Sequence, residues 1–347
     1  MCPNHCPRSA SKAAFRALLR CLFWVAIFAL FPSQNGTAKE PFPPPETTLP
    51  ARLKIATYNI ENYNATSRRT PLGFRTGYPK SEAAKRALRQ VIRQIDADVL
   101  VLQEMGPVEY LIELQRDLRS EGLFYPHTAL VRGPDAQRHV AALSRFPFAE
   151  VHEHTPLRFR YRDSHEDVKR GLLELRFATA AGPLAIWALH LKSRYSRDAA
   201  DPESAALRTG EARRIRDFIL QRIASTDTRF YLILGDFNDT KASPPLGALQ
   251  QRGKVRLSHL LDAADSRGES WTYRNAREDS YWRVDHILAS PKLLPAVSGA
   301  RATIADAPEV RDASDHRPLS VTLDLAQLPA ITPKEEERPS SAAAASN

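Results

Sequence analysis

The sequence between Arg52 and Leu328 predicts an α/β fold. Three features point to it: nearly continuous apolar runs that read as covered strands, amphipathic stretches at helical spacing between them, and polar residues at the exits of several runs. The central run is Leu232-Ile-Leu-Gly-Asp-Phe-Asn-Asp239. In an extended chain Asp236 and Asn238 share one face about 6 to 7 Å apart. A carboxylate able to orient or deprotonate a water then stands beside a carboxamide able to donate to a phosphate oxygen. The same residues also fit a strand followed by an Asx-rich turn.

The chain has 347 residues, 43% hydrophobic and 26% charged, a balance that excludes collagen, coiled-coil and repeat-array classes. Residues 1–38 hold Arg8, Lys12, Arg16 and Arg20, no acid, and the apolar run Leu22 to Phe31. That run is shorter than the roughly 20 residues of a spanning helix, and small residues follow at Gly36-Thr37-Ala38, so a cleaved secretory signal is expected. An uncleaved anchoring segment is the alternative. Export would place the protein outside the cell or in the periplasm, with no stable membrane anchor after cleavage. Without the four leader cations the formal charge falls from +9 to +5, a mild bias toward polyanionic partners. Cys2, Cys6 and Cys21 all lie in the leader, so the mature chain has no disulfide or thiolate metal site, and oxygen or imidazole must hold any metal. Residues 39–51 form a proline-rich linker, 52–328 the folded domain, and 329–347 a charged, then Ser/Ala-rich tail expected to be disordered.

In chain order, Leu53 to Ile60 is the first strand and delivers Asn59 to its end. Asn64 to Lys80 reads as a mobile surface loop carrying Arg68, Arg69, Arg75, Phe74 and Tyr78. Ser81 caps a helix with Leu88, Val91, Ile92 and Ile95 on one face. A doubly apolar strand, Asp98 to Leu102, exits into Gln103-Glu104, and a helix follows over Val108 to Arg119. His139 to Ser144 is a further strand. His152 and His154 have a spacing that can ligate zinc, but no partner follows at motif spacing, so they read as exposed strand histidines. Arg158-Phe-Arg-Tyr-Arg162 interleaves cations with aromatics and fits a nucleic-acid contact and an exposed edge strand equally well.

Pro183 to Ser193 carries His190 and Lys192 on one face, a pairing suited to phosphate. An amphipathic helix spans Pro202 to Arg222. Trp271-Thr-Tyr273 reads as a short aromatic strand, and Asp285 stands before another apolar run. Asp315 and His316, as sequence neighbours, reach one pocket only from a turn, which Ser314 and Pro318 permit.

Tyr58-Asn59, Leu102-Gln103-Glu104, His190-Leu191-Lys192, Gly235-Asp236-Phe237-Asn238, Val284-Asp285-His286 and Ser314-Asp315-His316-Arg317-Pro318 occur in the order of the endonuclease/exonuclease/phosphatase superfamily, and the chain resembles its deoxyribonuclease I-like members from Arg52 to Leu325. The resemblance implies one domain, a four-layer α/β sandwich of two mostly antiparallel sheets packed face to face with helices outside. It implies hydrolysis of a phosphate ester with Mg²⁺, or Mn²⁺, as cofactor. Glu104 and Asn59 would bind the metal with Asp315 assisting, Asp236 would activate water, and Asn238, His190, Lys192 and Thr272 would hold phosphate. His316 would stabilise developing charge, oriented by Asp285 or Asp315. A secreted nuclease is the first expectation. A phosphodiesterase or phosphatase on phospholipid head groups or inositol phosphates is the alternative, from which Asp239-Thr240 departs. A binding module without catalysis is the third.

Overall fold

The computed structural model describes residues 48–329; the leader, most of the linker and the tail lie outside the described residues. Its main strands are β1 (Arg52–Tyr63), β2 (Val99–Met105), β3 (His127–Val131), β4 (His139–Ser144), β5 (Glu150–His154), β6 (Leu172–Thr179), β7 (Gly182–His190), β8 (Phe230–Asp236), β9 (His259–Leu260), β10 (Ala263–Ala264), β11 (Asp285–Ala289), β12 (Ala302–Ile304) and β13 (Leu319–Asp324). The helices are α1 (Glu82–Ile95), α2 (Val108–Ser120), α3 (Ala205–Thr226), α4 (Pro244–Gln250) and α5 (Val310–Ala313).

One seven-stranded sheet runs β10-β12-β13-β1-β2-β4-β3, and one six-stranded sheet runs β9-β11-β8-β7-β6-β5. Each has one parallel pair near its middle, β1 with β2 and β7 with β8, each joined through a helix, α1 and α3. Apart from the short β10–β12 pair, the other neighbours are antiparallel.

Strand alternation builds the layers. Ile55, Val99 and Val101 face Leu175, Ile186, Leu232 and Leu234 in the layer between the sheets. The alternate residues, Tyr58, Leu100 and Leu102, pack outward on Leu88, Val91 and Ile92 of α1 and Leu111 and Leu114 of α2. On the second sheet Trp187, Leu189, Tyr231 and Ile233 pack outward on Ile215 and Ile219 of α3 and Leu246 of α4. Each such Leu or Ile contributes about 1.5–3 kcal/mol by leaving water. Four layers result, helix, sheet, sheet and helix.

Local chemistry sets the element ends. Ser81 Oγ accepts from the Ala84 amide at 3.2 Å and caps α1. Helix α3 begins at Ala205 rather than Pro202 because the Asp201 carboxylate takes the amide hydrogens of Ala206 and Leu207, both at 3.1 Å, and so fixes the first turn.

Three surface segments differ from expectation. Asn64 to Lys80 contains a two-stranded hairpin, Thr66–Thr70 with Gly73–Tyr78. Arg158–Tyr161 pairs with Ser164–Asp167 as a separate hairpin instead of edging a main sheet. The aromatic strand starts at Tyr273, which pairs with Trp282 in a third hairpin, Tyr273–Asn275 with Ser280–Trp282. His154 is partly buried, its Nε2 2.8 Å from Glu174 Oε2. Among the described residues no helix is long and apolar enough to cross a membrane.

Candidate active site

The exits of the two parallel pairs meet. Asn59 on β1 and Asp236 on β8 follow the alternation that faces the opposite sheet, and Asn59 Nδ2 donates to Asp236 Oδ2 at 2.9 Å. His190 ends β7 opposite Asp236 in register, with Nε2 3.4 Å from the same oxygen. Such close approach of β7 and β8 needs Gly235: at φ +142°, a Cβ there would lie 1.9 Å from the Leu189 carbonyl oxygen.

Strand β8 ends at Asp236, so Asn238 is not on an extended face with it. The chain turns, Asn238 takes φ +51°, and its amide donates to Asp236 Oδ1 at 2.7 Å, an Asx turn. Asn238 Nδ2 donates to the Leu191 carbonyl at 3.0 Å and reaches Asp236 Oδ2 at 3.3 Å.

His316 sits on the loop before β13, its Nδ1 2.8 Å from Asp285 Oδ2 at the start of β11. Asp285, not Asp315, therefore holds the ring; Asp315 Oδ1 is 4.0 Å from Nε2, as is Asp236 Oδ2. Ser314 fastens this loop to β1, donating from Oγ to the Asn59 carbonyl at 2.7 Å and accepting from the His316 amide at 3.1 Å. Its place in Ser314-Asp315-His316 was visible in the sequence, but a hydroxyl there names no role without the Asn59 contact.

Glu104 would face the outer helices by strict alternation. A register break between Leu102 and Met105, with φ +61° at Glu104, turns it to the cavity, where the Asn62 amide donates to Oε2 at 2.9 Å. Glu104, Asp236, Asn238, Asp315 and His316 line one cavity of about 500 Å³, together with Arg194, Tyr195, Tyr273 and Trp282. Of the last four, Tyr273 and Trp282 flank segments read in the sequence for Thr272 and Asp285, while Arg194 and Tyr195 come from a stretch with no readable motif.

Two expected phosphate ligands are elsewhere. Lys192 lies beyond the end of β7, so it does not share the face of His190, and its Nζ donates to the carbonyls of Ser193, at 2.9 Å, and Tyr195. Thr272 is fully buried, and its Oγ1 accepts from the amides of Val284 at 3.1 Å and Asp285 at 3.1 Å, so it fixes the strand that presents Asp285. Asn59, expected beside a metal, donates to Asp236 and accepts from the Glu61 amide at 3.0 Å.

Burial and the charge of Asp285 push Asp236 up to about 7, against His316, Asn238 and Asn59. For His316 burial favours the neutral ring, but the charge and hydrogen bond of Asp285, with the charges of Asp236 and Asp315, together outweigh it and raise the ring well above the usual imidazole value. Burial, with Arg170 and His316 nearby, drives His190 well below that value, so its ring is neutral. One imidazolium and one neutral imidazole thus flank a single carboxylate.

Among the described residues, the group of buried metal-capable atoms within 4.8 Å of one another is Asp236, Asp285 and His316. These are already hydrogen-bonded to each other or to Asn59 and Asn238. Glu104 and Asp315 instead offer carboxylates at the cavity wall, the sparse hard-oxygen set that suits Mg²⁺ with its retained waters.

Residues 56–316 match the Endonuclease/Exonuclease/phosphatase family. No curated protein matches the chain at the sequence level. Among solved structures, beta toxin of Staphylococcus aureus is 18% identical with TM-score 0.55, over 78% of this chain and 99% of that one; another structure of the toxin contains bound magnesium ions. TDP2 of Caenorhabditis elegans is 16% identical with TM-score 0.53, over 78% and 97% of the two chains. Sphingomyelinase C of Streptomyces griseocarneus is 16% identical with TM-score 0.53, over 78% and 99%. These likenesses show the deoxyribonuclease I-like fold, and the match over most of the sequence places the chain in the endonuclease/exonuclease/phosphatase family of metal-dependent phosphoric ester hydrolases.

Proposed function

We propose that the protein is an exported, Mg²⁺-dependent phosphodiesterase acting on nucleic acid. The observation that carries the reaction is the convergence of Asp236, His190, Asn59 and the His316–Asp285 pair at one end of the cavity, with Glu104 and Asp315 on its wall. Glu104 and Asp315 would hold the metal, which supplies polarisation of a phosphoryl oxygen and offsets negative charge. Asp236 orients the attacking water and accepts its proton; Asn59, His190 and the Asn238 amide hold that carboxylate in place. His316, kept protonated by Asp285, donates from Nε2 toward charge that develops on the phosphoryl group. Arg194, its guanidinium 4.9 Å from the Trp282 ring, and Tyr195 and Tyr273 give the cavity stacking surfaces and a cation suited to a nucleotide. Export rests on the basic and apolar leader.

A phospholipid head group is the second reading, favoured by Glu278, whose carboxylate lines the same cavity as Tyr195, Tyr273 and Trp282 and suits a cationic group, while Glu203 there lies 3.8 Å from Arg194. The test incubates purified protein with a single-stranded oligonucleotide, plasmid DNA, sphingomyelin vesicles and inositol phosphates, with Mg²⁺ and then with chelator. Cleavage of nucleic acid that chelation abolishes and Mg²⁺ restores is expected. Turnover of sphingomyelin or inositol phosphates alone would replace the nuclease reading, and cleavage indifferent to chelation would remove the metal.

A further inference from the structure

We infer that the hairpin Thr66–Tyr78 is a second substrate contact, a grip for single-stranded nucleic acid outside the cavity. The inference rests on the nucleic-acid reading above. From Ala65 to Pro79 the chain carries Arg68, Arg69 and Arg75 and no acidic residue. The hairpin pairs Arg68 directly with Arg75, and Arg69 with Phe74. Like charges opposite one another weaken a strand pair, and a lone two-stranded hairpin is marginal to begin with, so an anion between the strands relieves a cost the free protein bears.

The arginines divide by role. Arg68 is tied down, donating to the carbonyls of Asn62, Asn64 and Tyr78, and so fixes the hairpin to the end of β1. Arg69 and Arg75 are exposed, and among the described residues neither forms an ion pair. Phe74 is 65% exposed, Leu72 at the turn 81% and Tyr78 44%. Arg69 lies opposite Phe74 on one face, whereas the register shift between Thr66 and Arg68 sets Tyr78 opposite Thr66, on the other face with Arg75. Each face thus sets one ring beside one arginine, Phe74 with Arg69 and Tyr78 with Arg75, a surface for an unpaired base and a cation for its phosphate.

The anchor links this platform to the chemistry. Arg68 holds the Asn62 carbonyl, and the Asn62 amide holds Glu104 Oε2 at 2.9 Å. A strand that rests its cleaved phosphate in the cavity can extend along the hairpin, which rises about 20 Å from its base at strand pitch. Small phosphodiesters cannot span that length.

The test compares the full-length protein with Arg69→Ala/Arg75→Ala and with Phe74→Ser, all exposed positions. Binding of a fluorescent single-stranded oligonucleotide is read by anisotropy, with chelator, across salt concentrations. Cleavage of the oligonucleotide is referenced to that of bis(p-nitrophenyl) phosphate. The double variant should bind at least about tenfold more weakly at low salt, with the logarithmic salt slope reduced by about 1.4 for two lost phosphate contacts. The ratio of oligonucleotide to small-diester kcat/KM should fall in step. If the parent protein cleaves nucleic acid but the variants keep its affinity and slope, the hairpin grip is wrong and the nuclease reading stands. If the parent cleaves small diesters and neither binds nor cleaves nucleic acid, both are wrong. Loss confined to sedimentation with anionic vesicles would make the hairpin a membrane contact and overturn the grip.

Discussion

Asp285 and Asp315 divide the work that the motif Ser314-Asp315-His316 leaves unassigned. Asp285 Oδ2 takes the Nδ1 side of the His316 ring at 2.8 Å, while Asp315 reaches only 4.0 Å from Nε2. Because Asp285 raises His316, the imidazolium persists toward alkaline pH in the parent. Asp285→Asn lowers the His316 pKa, so the alkaline limb of the pH–rate profile should move to lower pH. Asp315→Asn should shift that limb far less. Asp236→Asn and His316→Ala should each lower kcat on a small diester by at least about a hundredfold with unchanged circular dichroism. Near-parental turnover in folded protein would reject both roles. Gly235 is a different kind of requirement: Gly235→Ala places a methyl against the Leu189 carbonyl at a left-handed φ and should destabilise by more than about 1–3 kcal/mol, read by urea unfolding. At this scale residue identities were legible in the sequence, but their partners were not. Thr272 and Lys192 lie close to the motif residues along the chain, yet one hydroxyl is buried under β11 and one ammonium is held by its own loop.

Strand β5 closes one edge of the six-stranded sheet, and the partner strand β6 places Glu174 fully buried behind it. Burial alone would raise Glu174, but hydrogen bonds from His154, Arg176 and Arg222 hold it at about 2. The folded value lies below the ordinary 4.5, so the stabilisation is full above about 4.5 and disappears as pH falls through about 2. Glu174→Gln should cost on the order of 3 kcal/mol near neutral pH, and the gap to the parent should close in acid. Urea unfolding from pH 6 downward reads this, and a constant gap would refute it. The apolar strands and α1 to α3 were legible because periodicity and length agree there. The hairpins were not: Gly73–Tyr78 is exposed throughout and the half-buried positions of Thr66–Thr70 are Thr66, Arg68 and Thr70, so no apolar alternation marks the hairpin, and its two glycines and two nearby prolines resemble a loop. Helix α5 spans only Val310–Ala313, too short for any helical period.

The sandwich became readable through the order of six short motifs, not through any one of them. Composition and alternation point to covered strands, but which sheet each joins depends on contacts such as Asn59 with Asp236, 177 positions apart. That bond crosses from one sheet to the other, and His316 reaches Asp285 across the same seam. Neither half of the chain owns a complete site. Turnover should therefore report how tightly the two sheets are pressed together. Ile186→Ala, which hollows the layer between them, and Leu88→Ala, which hollows the layer under α1, should each cost about 2–5 kcal/mol of stability. Measured well below either melting point, kcat should drop in the first and hold in the second. Catalysis here would then act as a strain gauge on the inner face of the sandwich, indifferent to slack beneath the outer helices.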